Sequence, residues 1–193
     1  MSESSGEYFG AVTDITRDVM EKKRILYENT HDTLTGLYKY KHFKYLAKEL
    51  LQNMPAGKLC AIVMLDLDCF KSINDNFGHD TGDKYLQVFS SVMHAMPVEH
   101  FLTARRSGDE FCMMIFDCEE KSEIEKFLND FYEALKSTHI ALTDTESKTI
   151  SASSGFVWTA DSGANLSDLL KYADEALYQI KKKTKGSYAE YSA

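Results

Sequence analysis

Apolar positions in this chain follow two rhythms that alternate along its length. From about Tyr40 to Asn53, Phe43, Leu46, Ala47, Leu50 and Leu51 recur at the spacing of one helix face. Met54-Pro55-Ala56-Gly57 stops that helix. Leu59 to Leu65 is then apolar without a break, as in a central strand covered on both faces. A helix starting near Asp80 or Thr81 turns Leu86, Phe89, Met93 and Met96 inward. The runs His100–Ala104 and Phe111–Phe116 flank a Ser-Gly turn, which predicts a β-hairpin. Ser122-Glu123-Ile124-Glu125 has the pattern of a capping box. It opens a helix with Ile124, Phe127, Leu128, Phe131 and Leu135 inward. Strand-like segments follow at His139–Thr143 and Thr149–Trp158, separated by polar Asp144–Lys148. Asn165 or Ser167 caps a last helix with Leu166, Leu169, Leu170, Ala173, Leu177 and Ile180 inward, and Ser187–Tyr191 reads as an edge strand.

Helices and strands are interleaved, but a hairpin sits in the middle. That order predicts an α/β (α+β) fold with a mixed, mostly antiparallel central sheet flanked by helices. Residues 8–30 add a helix of another kind. Val12, Ile15, Val19 and Leu26 form a heptad-like stripe broken by Lys22, with charged residues on the other faces. This holds too few apolar residues for a core, so residues 1–31 read as a coiled-coil or signalling segment joined to an upstream module. His31–Leu37 is the polar, Gly-containing boundary, where Asp32 or Thr33 caps a turn, and residues 32–193 form the main domain.

Composition narrows the choice. With 193 residues, 44% hydrophobic and only 2 Pro, the chain has the material for a sizeable core. The net charge of −8, from 22 basic and 30 acidic residues, argues against non-specific nucleic-acid binding. An anionic ligand would need local cations or metal ions. No apolar run approaches the length of a membrane span, and Met-Ser-Glu-Ser-Ser-Gly has no signal-peptide character. A cytoplasmic protein is expected, in which Cys60, Cys69, Cys112 and Cys118 stay reduced; they form no CxxC pair. The six His residues lack zinc-ligand spacing.

Candidate chemistry gathers in four places. Asp66 and Asp68 close the buried strand and share a side if it stays extended. Each suits a metal ligand, and each equally suits a carboxylate that caps the next turn. Cys69 to Asp83 is dense in polar residues and Gly, with Phe70, Ile73 and Phe77 as anchors, and has the composition of a binding loop. Asp109 and Glu110 sit at the hairpin tip, where carboxylates are also ordinary solvated turn residues. The basic run Lys181-Lys182-Lys183-Thr184-Lys185-Gly186 equally complements a helix dipole before a glycine cap.

Taken together, four blocks in order resemble the GGDEF family of diguanylate cyclases over about Asp32 to Tyr191. They are Asp32-x-Leu34-Thr35-Gly36-Leu37, the stretch Asp66 to Asp83, Arg105-Arg106-Ser107-Gly108-Asp109-Glu110-Phe111, and Ala173-Asp174-x-Ala176-Leu177-Tyr178-x-x-Lys181. The resemblance implies the palm-like fold of nucleotidyl cyclases and polymerases. It implies condensation of two GTP into cyclic di-GMP and two pyrophosphates, with two copies of the domain meeting face to face and an upstream sensory domain as the source of control. By the same resemblance Mg²⁺ or Mn²⁺ is held by Asp66, the Leu67 carbonyl, Asp109 and Glu110. Asp66, Asp109 and Glu110 are the catalytic set, with Asp109 or Glu110 assisting deprotonation of the attacking 3′-hydroxyl. Asn74 and Asp83 match guanine-reading positions, and Lys71, Lys181 and Lys185 match phosphate-binding ones. Backbone N–H groups from Cys69 through Phe70 to Lys71 form a nest for terminal phosphates, and Ser107 and Gly108 lie where the nucleotide passes.

Four departures from the family pattern stand out. Ser107 replaces the first signature glycine, at a cost of about 1 kcal/mol if its φ is positive. A degenerate GTP-binding regulatory domain without turnover is therefore the alternative to an active cyclase. Lys185 replaces an arginine, so a bidentate phosphate grip becomes a point charge. Thr184 stands where glycine is common. Val98 and Phe101 occupy the positions of the Arg-x-x-Asp product-inhibition motif, so no feedback inhibition through that site is expected.

Overall fold

The computed structural model describes residues 16–143 and 145–192. In chain order these form α1 (Thr16–Thr30), β1 (Tyr38–Lys39), α2 (Tyr40–Gln52), β2 (Leu59–Leu67), α3 (Phe70–Phe77) and α4 (His79–His94). There follow β3 (Phe101–Ser107), β4 (Glu110–Cys118), α5 (Lys121–Ser137), β5 (His139–Ala141), β6 (Ser147–Thr149), β7 (Ala152–Thr159), α6 (Leu166–Lys183) and β8 (Tyr188–Glu190).

The main sheet has the order β1-β3-β4-β2-β7-β8. The pairs β3–β4, β4–β2 and β2–β7 are antiparallel, and the edge pairs β1–β3 and β7–β8 are parallel. A mostly antiparallel sheet flanked by helices is the expected class. The continuous apolar run of β2 is explained by its central place: alternate side chains enter two separate cores. Ala61, Val63, Leu65 and Leu67 pack with Leu86, Phe89 and Met93 of α4 and Ile124, Leu128 and Phe131 of α5. Cys60, Ile62 and Met64 pack on the other face with Phe43, Ala47 and Leu51 of α2 and Leu169, Ala173 and Leu177 of α6.

One glycine sets how closely α6 lies on the sheet. A Cβ at Gly155 of β7 would fall 2.0 Å from the Leu177 nitrogen and 2.3 Å from the Ala173 carbonyl oxygen. Helix backbone therefore rests directly on strand backbone there. Asn165 caps α6, its side chain accepting from Ser167 N–H at 2.8 Å.

Three local expectations are corrected. The stretch expected as a loop from Cys69 to the helix start near Asp80 is helical on both sides of Gly78, whose φ is 81°. Phe70, Ile73 and Phe77 stand at i, i+3 and i+7, so they are one face of α3, with Ile73 fully buried. The surrounding polar residues masked that period. The segment Thr149–Trp158 divides into β6, paired with β5 in a small separate sheet, and β7. The capping pattern at Ser122 is displaced: Glu120 is the N-cap of α5, and Glu123 reaches back to Glu119 N–H at 2.8 Å.

Residues 8–15 of the predicted first helix, with Val12 and Ile15, lie outside the described residues. Within α1, Val19, Met20, Ile25, Leu26 and Tyr27 are exposed. At the following turn Asp32 is the capping residue, accepting from Thr35 N–H at 2.9 Å and from its hydroxyl at 2.7 Å. Among the described residues no helix is long and apolar enough to cross a membrane.

Candidate active site

Three of the acidic residues meet where β2 ends beside the β3–β4 turn. Asp66 is directly opposite Glu110 on β4 and opposite Ser153 on β7. One residue on, Leu67 N–H donates to the Asp109 carbonyl at 3.1 Å. The side chain of Asp66 is largely buried, and Lys181 of α6 places its Nζ 2.7 Å from Asp66 Oδ1. Burial raises the pKa of Asp66. The Lys181 ammonium pulls it down, while the charges of Asp109 and Glu110 push it further up, and the net direction is upward.

Asp68 has a different task. The strand ends at Leu67, and Asp68 is buried. Its carboxylate accepts from Ser151 Oγ at 2.6 Å, Ser153 Oγ at 2.8 Å and Gly186 N–H at 2.8 Å. These bonds tie the end of β2 to β7 and to the turn after α6. They also place Lys185, whose Nζ lies 3.5 Å from the Cys69 sulfur. Nothing in the local sequence around Asp68 names Ser151, Ser153 or Gly186 as its partners.

Cys69 is the exposed N-cap of α3, with φ 60°. The left-handed residue breaks strand direction, and the first turn of α3 leaves backbone N–H groups without intrahelical acceptors. The Cys69–Lys71 segment therefore presents donors beside the Lys185 ammonium. Lys71 is exposed on α3 and Phe70 is half-buried, packing against Tyr85 at a centroid distance of 6.2 Å.

Asn74 packs against the glycine that precedes Asp83. A Cβ at Gly82 would stand 1.9 Å from Asn74 Oδ1. The amide of Asn74 on α3 therefore lies over Gly82 of α4, next to the exposed Asp83. Gly82 was not singled out by sequence reasoning; its place immediately before Asp83 was the available signal.

The hairpin turn is clamped from both sides. Arg105 donates to the Gly108 carbonyl through Nε at 3.0 Å and Nη2 at 2.8 Å, while Nη1 bonds Asp32 Oδ1 at 3.1 Å. Arg106 reaches Asp174 Oδ1 of α6 at 2.9 Å and lies 3.8 Å from Glu110 Oε2. Gly108, with φ 51°, is the left-handed residue of the turn. Among the described non-glycine residues positive φ occurs at Cys69 and Asp117, and not at Ser107. The backbone penalty expected of Ser107 is therefore absent. Its hydroxyl instead donates to Glu110 Oε2 at 3.0 Å.

The donor set consists of hard carboxylate oxygens, which suit Mg²⁺ or Mn²⁺. Among the described residues no three His, Cys, Asp or Glu side chains already converge as a closed metal cage. Mg²⁺ at nucleotide sites generally combines a few carboxylates with water and phosphate oxygens.

A separate apolar cavity of 470 Å³ lies between α2 and the β3–β4 pair, lined by Leu50, Met54, Leu102, Met114 and Phe116. It contains none of the predicted site residues.

Residues 29–187 match the family model described as diguanylate cyclase, GGDEF domain. The chain is 29% identical over 202 aligned residues to the probable diguanylate cyclase DgcE of Escherichia coli K12, covering 99% of this chain and 18% of that protein. It is 35% identical over 152 residues to the cyclic di-GMP phosphodiesterase NbdA of Pseudomonas aeruginosa, covering 78% of this chain and 19% of that protein. The chain thus spans about a fifth of the length of these relatives. Among solved structures, the coiled coil and GGDEF domain of DgcB from Caulobacter crescentus, in complex with c-di-GMP, superposes with a TM-score of 0.81 at 25% identity. That match covers 92% of this chain and 93% of the other.

Proposed function

Since the chain belongs to the GGDEF, diguanylate cyclase domain family, we propose that it condenses two GTP into cyclic di-GMP and two pyrophosphates. The observation that carries the proposal is the pairing of Asp66 with Glu110 across β2 and β4, joined to the turn by the Leu67–Asp109 backbone bond. It puts three carboxylate residues at one end of the central strands, with Lys181 on Asp66.

Each GTP is held by one domain. Asn74 and Asp83 read the guanine: a carboxylate accepts from ring N–H and amino groups, and an amide both donates and accepts. Lys71, Lys181 and Lys185, with the N–H groups of Cys69 to Lys71, neutralise the phosphates. Asp66, the Leu67 carbonyl, Asp109 and Glu110 would hold Mg²⁺ or Mn²⁺, which supplies positive charge against the phosphates of the reacting nucleotide. Asp109 or Glu110 takes the proton as the 3′-hydroxyl of the GTP on the opposing domain attacks the α-phosphate. Pyrophosphate leaves, and a second attack in the reverse sense closes the ring.

In the same proposal residues 32–193 are the catalytic domain of a cytoplasmic protein. Residues 1–31 are the signalling segment that brings two copies together under an upstream sensor. The exposed apolar residues of α1 support that role. Val98 is 81% exposed and Phe101 is buried, a pair without charge for a phosphate. This supports an enzyme free of product inhibition at that position; a tight cyclic di-GMP complex through these residues would sink the idea.

The experiment is incubation of purified protein with GTP and Mg²⁺ over a range of protein concentrations, with products resolved by liquid chromatography and mass spectrometry. Cyclic di-GMP formed at a rate rising more steeply than protein concentration is expected. Bound GTP without product at any concentration would favour the second reading, a regulatory GTP-binding domain. The relative named as a phosphodiesterase is the observation on that side.

A further inference from the structure

The contact between Lys181 and Asp66 has two claimants for each partner. Asp66 is the most enclosed carboxylate of the proposed metal set, and its Oδ1 is already taken by the Lys181 ammonium at 2.7 Å. Lys181 is also a proposed phosphate ligand. An ammonium seated 2.7 Å from Asp66 competes with a divalent ion for that carboxylate, and a nucleotide phosphate competes with Asp66 for the ammonium. A divalent ion at Asp66 must likewise share its ligand with a positive charge a few ångströms away, in a partly buried setting where charges are weakly screened.

The neighbourhood explains why a cation is needed there at all. Asp66 faces Glu110 across the strands, and the Leu67 N–H bond to the Asp109 carbonyl brings a third carboxylate residue beside it. Arg106 attends to Asp174 at 2.9 Å and stands only 3.8 Å from Glu110, while Arg105 is spent on Asp32 and Gly108. Lys181 is therefore the side chain that compensates Asp66. Its position is fixed by the close seating of α6 on Gly155.

We propose that Lys181 is a resident counter-ion that holds the metal position of Asp66 in the nucleotide-free protein. Binding of a nucleoside triphosphate draws the ammonium from Asp66 to the phosphates. The carboxylate is released to a divalent ion at the moment the phosphates arrive to complete its coordination. Metal loading thereby becomes coupled to nucleotide loading, with the free protein protected from adventitious divalent ions. This rests on the proposed nucleotide site, but it concerns binding and not turnover.

The test is Mn²⁺ binding followed by electron paramagnetic resonance, first without nucleotide. Lys181→Met keeps most of the length of the side chain and removes its charge. It is expected to bind Mn²⁺ at least about tenfold more tightly than wild type, equivalent to about 1.4 kcal/mol. Lys181→Gln, a second neutral variant, should behave alike, and Asp66→Asn added to either should abolish the gain. With 3′-deoxy-GTP, which binds without offering the attacking hydroxyl, wild type should gain Mn²⁺ affinity more than the Met variant does. Equal or weaker Mn²⁺ binding in both folded neutral variants without nucleotide would overturn the proposal. So would a gain that survives Asp66→Asn. If the Mn²⁺ results hold while no cyclic di-GMP forms from GTP, the cyclase reading fails and the counter-ion role stands.

Discussion

Ser107 Oγ donates a hydrogen bond to Glu110 Oε2 at 3.0 Å across the hairpin turn. The two residues are register partners at the ends of β3 and β4. The serine is at an ordinary negative φ, and the left-handed position belongs to Gly108. Restoring a glycine at 107 therefore relieves no strain and loses a hydrogen bond. Ser107→Gly should lower stability by about 0.5–1 kcal/mol and the midpoint of thermal unfolding by roughly 1–4 °C. A rise in the melting midpoint, measured by calorimetry, would show that the serine is strained after all.

Gly82 makes room for the Asn74 amide. Alanine normally favours a helix interior by about 1 kcal/mol over glycine, so Gly82→Ala would stabilise α4 if the space were open. A Cβ 1.9 Å from Asn74 Oδ1 forces that amide aside. Affinity for GTP should fall about tenfold, the cost of an unmade hydrogen bond to a buried polar group. Isothermal titration of the variant with 3′-deoxy-GTP reads this directly; unchanged affinity would remove Asn74 from the guanine site.

Asp32 links the turn after α1 to the active-site hairpin through Arg105. Burial pushes the Asp32 pKa up, but bonds from Thr35 and the Arg105 guanidinium outweigh it and hold it below the ordinary carboxylate value. A depressed folded pKa means stability that is fully present above the unfolded pKa and lost as pH falls through the folded one. The stability gap between wild type and Asp32→Asn should therefore be widest near neutral pH and shrink on acidification below the usual carboxylate range. A double-mutant cycle with Arg105→Met should give a coupling of about 1–2 kcal/mol, between exposed and buried pairs. A gap independent of pH in urea titrations would count against the pair.

The thiols should divide three to one. Cys60 is pushed up to about 12 and Cys118 to about 11 by burial, and burial raises Cys112 as well. Cys69 is exposed at the proposed phosphate nest, beside Lys185. In the native protein a disulfide reagent should modify Cys69 first, and GTP with Mg²⁺ should slow that reaction by more than about fivefold. Labelling of Cys69 indifferent to GTP would place the phosphates elsewhere.

The sequence by itself determined a good deal. The unbroken run from Leu59 to Leu65 has the character of a central strand, because such a strand is covered on both faces. The amphipathic spacing of Phe43–Leu51 and Leu169–Leu177 told which helix sides go inward. The order of elements, with a hairpin among helices, required a mixed sheet. These are local or periodic properties, and each residue carries its part of the signal. The spacing of Phe70, Ile73 and Phe77 was equally periodic, yet polar neighbours hid the helix until Ile73 was seen buried.

Only the tertiary structure decided how differently two nearby aspartates are surrounded. Asp66 and Asp68 are the same residue type two positions apart; the family resemblance points to Asp66, but the local pattern of polar and apolar residues does not tell them apart. Their partners differ because they come from far along the chain: Lys181 for Asp66, and Ser151, Ser153 and Gly186 for Asp68. The seating of α6 on Gly155 brings Lys181 to Asp66, and the turn after it brings Gly186 to Asp68. Backbone conformation at Ser107 was likewise invisible, because φ depends on how the turn distributes its bend and not on residue type alone. Long-range register and backbone angles are cooperative properties of the folded sheet, and no local pattern of polar and apolar residues encodes them.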